Sequence, residues 1–207
     1  MRYDCTHPIE SGMPVYPGDP DVSVAPAATH ESAGYRVSEL RMSTHTGTHV
    51  DAPSHTEPDG KSLGAYDVER FRFDARVVDI QEYGARETIP PDAVPETEAD
   101  GLLFHTGWDD NWGEETYFDH PYLAPETAER CAKLGHHVGL DTLNPDPTEP
   151  RADEPDGVPA HRALLGAERL VIENLRGLGR LPERVTLCAY PLAVDGDGAP
   201  VRAVAEG

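Results

Sequence analysis

The chain has 207 residues, enough for one domain with a substantial hydrophobic core, and no linker-like stretch divides it. Its 38 acidic residues outnumber its 17 basic residues and give a formal net charge of −21. This charge argues against nucleic acid or an anionic membrane as a partner, because both are themselves negatively charged. No apolar leader follows Met1 and no run approaches membrane-spanning length, so we expect a cytoplasmic protein.

Lysine and cysteine are both scarce. Lys61 and Lys133 are the only lysines, and an acidic, lysine-poor surface suits a cytoplasm whose high salt screens repulsion between like charges. We therefore expect a salt-loving host, with an ordinary acidic protein as the alternative. Cys5, Cys131 and Cys188 are far apart and odd in number, which predicts free thiols without a disulfide framework or a thiolate zinc site.

The first 44 residues contain little that favours helix. Residues 1–35 are rich in proline and glycine, which predicts extended chain interrupted by turns. Residues 36–44 alternate around Leu40, Met42 and Thr44, which predicts a strand. We expect this strand to lead directly into the next stretch, which is the most unusual of the chain.

That stretch, residues 45–55, concentrates histidines and a carboxylate at odd-numbered positions. An extended backbone would point all of these side chains to one face, whereas a glycine, a proline and three β-branched residues disfavour a helix. The pattern predicts a metal site with a proton-transfer group beside it. A polar surface loop, or a buried hydrogen-bonded cluster without metal, is the alternative. The residues are His45, His49, Asp51 and His55.

The middle of the chain alternates strands with irregular connections. A strand is predicted over residues 75–80, and a buried strand is predicted over residues 101–106. Between them, residues 84–100 are expected to form a polar connection with at most a short helix. Residues 107–122 form an aromatic-rich loop that would either cover a planar substrate or pack onto the core or a partner subunit.

A helix is predicted over residues 125–134, with Ala128, Cys131, Ala132 and Leu134 on its inner face and Gly135 ending it. Residues 136–141 predict a strand. The adjacent His136 and His137 would point to opposite faces of that strand, so both are left out of the site.

Residues 144–160 are acidic and proline-rich, which predicts a long irregular loop that cannot pack a core by itself and that we expect to be mobile and near the site entrance. A short helix over 161–166, a strand or helix start over 170–175, and strands over 185–190 and 200–204 complete the chain. Taken alone, His161 and Glu173 are weak candidates. Glu173 follows three apolar residues, where a carboxylate needs a cation or a hydrogen-bond donor.

The motif His-x-Gly-Thr-His-x-Asp-x-Pro-x-His over residues 45–55 resembles the signature of the metal-dependent cyclase and kynurenine formamidase family, whose members include arylformamidases and isatin hydrolases. The resemblance extends along most of the chain. It continues at residues 6–9, 12–20, 139–142, 146–147, 161, 164–165, 173–175 and 200–203.

Periodicity alone leaves α/β and α+β folds open for a single domain. The resemblance implies an α/β fold of the swivelling β/β/α type, with a mixed sheet and short helices over residues 1–207. It also implies a homodimer or a larger homo-oligomer.

The resemblance further implies a metal site. His45, His49 and Asp51 would bind one ion, and Asp51 would bridge to a second ion held by His161 and Glu173. A site of imidazole and carboxylate without sulfur fits zinc or manganese, with one or two ions per subunit. His55 resembles the proton-transfer histidine of the family.

These expectations combine into a metal-dependent amidohydrolase that resembles arylformamidase and cleaves N-formylkynurenine, a small-molecule substrate, to kynurenine and formate in tryptophan degradation. Opening of a cyclic amide such as isatin is the alternative within enzymes. A catalytically silent protein that binds a metal or a small molecule is the alternative outside them, although mere binding does not need a proton shuttle beside the ligands.

Overall fold

The computed structural model describes residues 1–207 and contains twelve strands and three α-helices. Several single turns of 3-10 helix connect them. The strands are β1 (Arg2–Asp4), β2 (Ser23–Ala28), β3 (Val37–Arg41), β4 (His49–Asp51), β5 (Arg72–Asp79), β6 (Thr88–Ile89), β7 (Gly101–His105), β8 (Tyr122–Leu123), β9 (His137–Leu140), β10 (Val171–Glu173), β11 (Arg184–Pro191) and β12 (Gly198–Glu206), and the helices are α1 (His30–Ala33), α2 (Pro125–Leu134) and α3 (Pro159–Gly166).

Eight strands form one mixed sheet in the order β1-β12-β11-β5-β7-β9-β10-β4. Because β4 also pairs with β12, seven of these strands close into a barrel-like ring. The strand pairs β5–β7, β7–β9 and β9–β10 are parallel, and the other pairs of this sheet are antiparallel. The short strand β4 is therefore hydrogen-bonded on both edges, by β10 and by β12. The fold is a single α/β domain with a mixed sheet and short helices, as predicted.

Alternation along the strands separates two hydrophobic cores. Side chains such as Val50, Ile172 and Ala199 belong to the core inside the barrel. Val171 and Leu164 belong to a second core between the outer face of the sheet and the helices α2 and α3. The residues next to Val50 on β4 consequently point to the outer face, toward α3.

Helix α2 begins and ends where the sequence predicts. Proline occupies its first turn, and Gly135 ends it in a left-handed conformation with φ 92°. Ala128 and Cys131 are buried as expected. The prediction for Leu134 is wrong, since this side chain is 46% exposed. Its place on the buried face is taken by Thr127, whose hydroxyl donates to the Ile89 carbonyl at 2.7 Å.

The predicted strand over residues 36–44 is shorter than expected and belongs elsewhere. β3 ends at Arg41 and pairs with β2 in a separate hairpin whose side chains are nearly all exposed. Turns and bends between β3 and β4 separate that hairpin from the barrel. Residues 84–100 hold the two-residue strand β6 and one turn of 3-10 helix, in line with the expected irregular connection.

The two long loops are more ordered than their composition indicates. Residues 107–122 contain two 3-10 helices, and Tyr117 at their centre is fully buried. Although residues 144–148 of the acidic loop form no core by themselves, they are buried against the rest of the protein. Asp146 is the reason, because its carboxylate accepts hydrogen bonds from the backbone N–H groups of Ala160 and His161 in the first turn of α3.

All three cysteines are free thiols, as predicted. Burial raises the pKa of Cys5 to about 11 and that of Cys131 to about 12, so both stay protonated. Cys188 is only half-buried. None of the helices is both long enough and apolar enough to cross a membrane.

We predict that His120 makes the fold sensitive to acid. Burial lowers the pKa of His120 to about 4 from an ordinary 6.5, and its ring bonds to the Pro121 carbonyl and the Thr148 hydroxyl. A depressed histidine pKa stabilises the fold above pH 6.5, and this contribution is lost as the pH falls toward 4. The loss amounts to about 3 kcal/mol.

Urea unfolding of chelator-treated protein at several pH values between 7.5 and 4 measures this contribution. As the pH is lowered, the free energy of unfolding should decrease less steeply in His120→Gln than in the unsubstituted protein. This difference in slope is expected whatever the free energy of unfolding of the variant at pH 7.5. Parallel curves for the two proteins would contradict the assignment.

Candidate metal centre

Strand β4 places two of the candidate residues on the outer face of the barrel. Val50 points into the barrel, so His49 and Asp51 on either side of it point out, and both are buried. The preceding Gly47 has φ +59°, and a Cβ at this position would lie 2.7 Å from Met13 Cε. Glycine therefore permits the sharp turn that leads from His45 into the strand.

The side chain of His45 also contacts the carboxylate of Asp51. Its Nδ1 lies 2.8 Å from Asp51 Oδ1, and His49 Nε2 lies 3.2 Å from the same oxygen. One ligand atom from each of the three residues lies within 4.8 Å of the others. The structure thus brings together His45, His49 and Asp51.

A second cluster shares Asp51. Glu173 on β10 lies directly opposite His49 in the sheet register, and Oε2 of Glu173 is 3.2 Å from His49 Nε2. His161, in the first turns of α3, places Nε2 3.0 Å from Glu173 Oε1 and 3.6 Å from Asp51 Oδ2. These three residues also present ligand atoms within 4.8 Å of one another. Asp51 therefore faces both clusters, with one oxygen toward each.

The charges of the centre are strongly coupled. Burial acts against ionisation of Asp51, but the facing His49, His161 and His45 outweigh it and hold the pKa of Asp51 well below its usual range. Burial likewise acts to lower the pKa of His49 and His161, yet the facing carboxylates raise both well above the ordinary value. The imidazoles and the carboxylates of the centre therefore favour each other's charged forms.

The donor atoms fit a divalent metal. His49 Nε2 and Asp51 Oδ2 are buried atoms without any hydrogen-bond partner, although each faces groups of the opposite character. Nitrogen and carboxylate oxygen donors without sulfur are those preferred by zinc and manganese. A cation between these atoms would satisfy both orphaned positions.

The acidic loop contributes a residue to which the sequence analysis gave no role. Asp146 Oδ2 lies 2.7 Å from His161 Nδ1. A carboxylate there accepts the Nδ1 proton, so Nε2, which faces Asp51 and Glu173, is the nitrogen that would bind an ion. The Asp146-Pro147 pair stood among the family-like residues, but nothing in its spacing showed that it would reach His161.

Asp197, which lies in the turn before β12, is a second residue for which the sequence predicted no role. Its Oδ2 is 3.0 Å from His45 Nε2 and 3.5 Å from His55 Nδ1, and its Oδ1 accepts a hydrogen bond from Thr44 Oγ1. The only indication of Asp197 in the sequence is that it is an acidic residue in the glycine-rich turn Asp195-Gly196-Asp197-Gly198. Asp197 therefore contacts both a residue of the first cluster and the neighbouring His55.

His55 reaches the centre by a different path from the one predicted. The extended conformation ends with β4, and Pro53–His55 form one turn of 3-10 helix. The His55 ring lies 4.1 Å from the His45 ring and 5.5 Å from the His161 ring, measured between centroids. Burial lowers the pKa of His55, and its side chain remains 31% exposed. His55 is thus neutral, accessible and adjacent to both clusters.

Other polar and aromatic candidates serve packing. Tyr117 donates its hydroxyl proton to Asn174 Oδ1 at 2.8 Å, and Trp112 stacks on His7 at 3.8 Å between centroids. His136 and His137, which the sequence analysis set aside, lie outside both clusters. The aromatic loop therefore packs against the protein itself through these contacts.

Comparison with known proteins agrees with this architecture. The Cyclase family model matches residues 3–147. Kynurenine formamidase from Salinibacter ruber is 33% identical over 212 residues, covering 97% of this chain and 95% of that protein. A solved structure titled as a potential metal-dependent hydrolase with cyclase activity is 30% identical, with a TM-score of 0.80 over 99% of this chain and 96% of that one.

An isatin hydrolase bound to the product analogue thioisatinate has the same fold, with a TM-score of 0.85 over 99% of this chain and 91% of that one, at 22% identity. These matches agree with the motif over residues 45–55 and with the two clusters that share Asp51 on the outer face of the barrel. The chain belongs to the Cyclase family of metal-dependent hydrolases.

Proposed function

We propose that residues 1–207 form one hydrolase domain that cleaves the formamide bond of N-formylkynurenine, releasing kynurenine and formate. The observation that carries this proposal is the buried Asp51 carboxylate shared by two ligand clusters, with the accessible His55 beside them. Similarity to kynurenine formamidase over nearly the whole chain supports formamide as the bond that is cleaved.

His45, His49 and Asp51 would hold one divalent ion, and Asp51, His161 and Glu173 a second, as zinc or manganese. A bound divalent ion acts as a Lewis acid that polarises a carbonyl and makes water more acidic. Asp146 orients His161 through Nδ1, and Asp197 orients His45 through Nε2. Such supporting carboxylates fix the ring nitrogen that faces the ion.

His55 is proposed to move the proton. Because Asp197 Oδ2 lies 3.5 Å from Nδ1, the His55 proton is favoured at Nδ1, and the lone pair of Nε2 is free to accept a proton from the attacking water. The water oxygen bonds to the formyl carbon, the carbon–nitrogen bond breaks, and His55 returns the proton to the leaving amine. The lowered pKa of His55 keeps it available as a base at neutral pH.

Hydrolysis of a cyclic amide such as isatin remains the second candidate, and the shared fold with an isatin hydrolase favours it. Both reactions add water to the carbonyl of an amide whose nitrogen is bonded to an aromatic ring, so the same centre would serve either. A silent binding protein fits less well, because His55 is not needed to hold an ion.

We further propose a cytoplasmic homodimer or larger homo-oligomer from a salt-loving host. The β2–β3 hairpin supports the oligomer, because it exposes Val24, Val37 and Leu40 on strands that pack against no core of their own. The net charge of −21 supports the high-salt host.

Asp51 should be required for metal binding. Asp51→Ala removes the carboxylate common to both clusters and leaves Glu173 as the remaining carboxylate that contacts both His49 and His161. We expect the purified variant to lose most bound zinc or manganese, measured by elemental analysis after dialysis. His55→Ala is the matched control and should keep the full metal content. Full occupancy in Asp51→Ala would contradict the bridging role.

Turnover tests the reaction itself. Metal-reconstituted protein in high salt should convert N-formylkynurenine to kynurenine, followed by absorbance, and chelator should abolish the conversion. His55→Ala should lower turnover by about 10²–10⁴-fold with metal retained. If isatin is opened instead and N-formylkynurenine is untouched, the second candidate holds.

Asp197 should act through the two histidines. Asp197→Asn keeps the side-chain size but weakens its hold on His45 and His55, and we expect kcat to fall about 10–100-fold with little change in KM. Metal affinity, measured by competition with a fluorescent chelator, should fall as well because His45 is less firmly oriented. Unchanged kcat and unchanged affinity would show that Asp197 has no such role.

A further inference from the structure

A second polar cleft lies away from the metal centre and shares no residue with it. It has a volume of about 230 Å³ and opens between the start of β5, the start of β9 and the turn that follows α3. Three arginines line it, in a chain that has only 17 basic residues among 38 acidic ones. The lining residues are Glu69, Arg70, Arg72, Phe73, Asp100, Gly135, His137 and Arg169.

The three arginines form no ion pair with the protein. None of the guanidinium groups of Arg70, Arg72 and Arg169 has a carboxylate oxygen within 4.0 Å. Nε of Arg70 and Nε of Arg169 are buried without any hydrogen-bond acceptor. Buried donors of this kind are destabilising unless a ligand satisfies them. Ion pairs are formed by seven of the other basic residues, which are Arg2, Lys61, Arg76, Arg86, Arg151, Arg184 and Arg202.

The turn after α3 holds this arrangement in place. Glu168, in a left-handed conformation with φ +57°, accepts a hydrogen bond on its carbonyl from Arg70 Nη2 at 2.7 Å. The Arg70 guanidinium also lies 5.7 Å from the centre of the Tyr66 ring. The carboxylate of Glu168 is already paired with Lys61 at 2.8 Å. The acid of this turn therefore forms its ion pair with Lys61 and not with an arginine of the cleft.

His137 adds a further donor. The Leu170 N–H donates to His137 Nδ1 at 2.8 Å, so this nitrogen carries no proton and the neutral ring is protonated at Nε2. Burial, with the charges of Arg70 and Arg169, lowers the pKa of His137 to about 3, which keeps the ring neutral. Arginine forks and a neutral N–H are the groups that recognise oxyanions.

The acids of the cleft do not neutralise it. Asp100 Oδ2 accepts the backbone N–H of Asp74 at 3.1 Å, and Glu69 is exposed and has no ion pair. Three arginines thus face two carboxylates, which leaves a local excess of positive charge on a strongly negative protein. We propose that this cleft binds a small oxyanion, of the phosphate, sulfate or carboxylate class, through Arg70, Arg72 and Arg169.

Thermal unfolding tests the site with inorganic phosphate, sulfate and formate as separate probes. Metal-reconstituted protein is compared at constant ionic strength, made up with sodium chloride, so that general screening is equal in all samples. We expect at least one oxyanion to raise the unfolding midpoint in a saturable manner. The strongest of the three probes identifies the ligand class.

Arg72→Gln is the main variant, because Arg72 is exposed on its strand and its loss leaves the core intact. The apparent Kd of the oxyanion should rise about tenfold or more in this variant, since a charge-assisted contact is lost. Arg41→Gln, at an exposed position of the β2–β3 hairpin, changes the net charge equally and should behave like the unsubstituted protein. Because both variants keep the metal centre, any binding of oxyanion there is the same in all three proteins.

A saturable shift that is weakened in Arg72→Gln and kept in Arg41→Gln supports the site. Equal shifts in all three proteins, or no shift with any of the probes, would overturn it. Calorimetric titration of the native protein with the strongest probe gives the same comparison without unfolding and applies even if a variant is less stable.

Discussion

The structure depends on one constraint, which is that a carboxylate is buried where water does not reach it. Asp51 is fully buried on the wall of the barrel, where an isolated negative charge would be highly unfavourable. Three imidazoles face it, and they come from the turn before β4, from β4 itself and from α3. The packing of α3 onto the sheet and the turn at Gly47 therefore each bring a histidine to the Asp51 carboxylate.

Barrel closure makes this arrangement rigid. β4 has only three residues, but it is hydrogen-bonded to β10 on one edge and to β12 on the other. The register with β10 places Glu173 directly opposite His49. Pairing with β12 sets the turn that carries Asp197 beside His45 and His55. The ligands and their supporting carboxylates thus come from segments far apart in sequence that the closed sheet brings together.

The sequence predicted part of this centre for sound physical reasons. Side-chain alternation holds over β4, so His49 and Asp51 share a face as expected. The same reasoning fails for His45 and His55, which lie beyond the ends of the strand in turns that curl back toward it. His161 and Glu173 were weak candidates from pattern alone, since nothing local shows that α3 and β10 converge on β4.

By itself, the sequence predicted the candidate ligands of residues 45–55, helix α2 and most of the strands, because these depend on residue type and local periodicity, whereas the α/β class was implied by the family resemblance. The family resemblance implied that Asp51 is shared, but only the tertiary structure decided that Asp146 and Asp197 support the histidines and that three arginines meet without ion-pair partners. Such contacts depend on strand register and helix packing between distant segments. A turn such as that of residues 195–198 carries no local sign of which side chain it will meet.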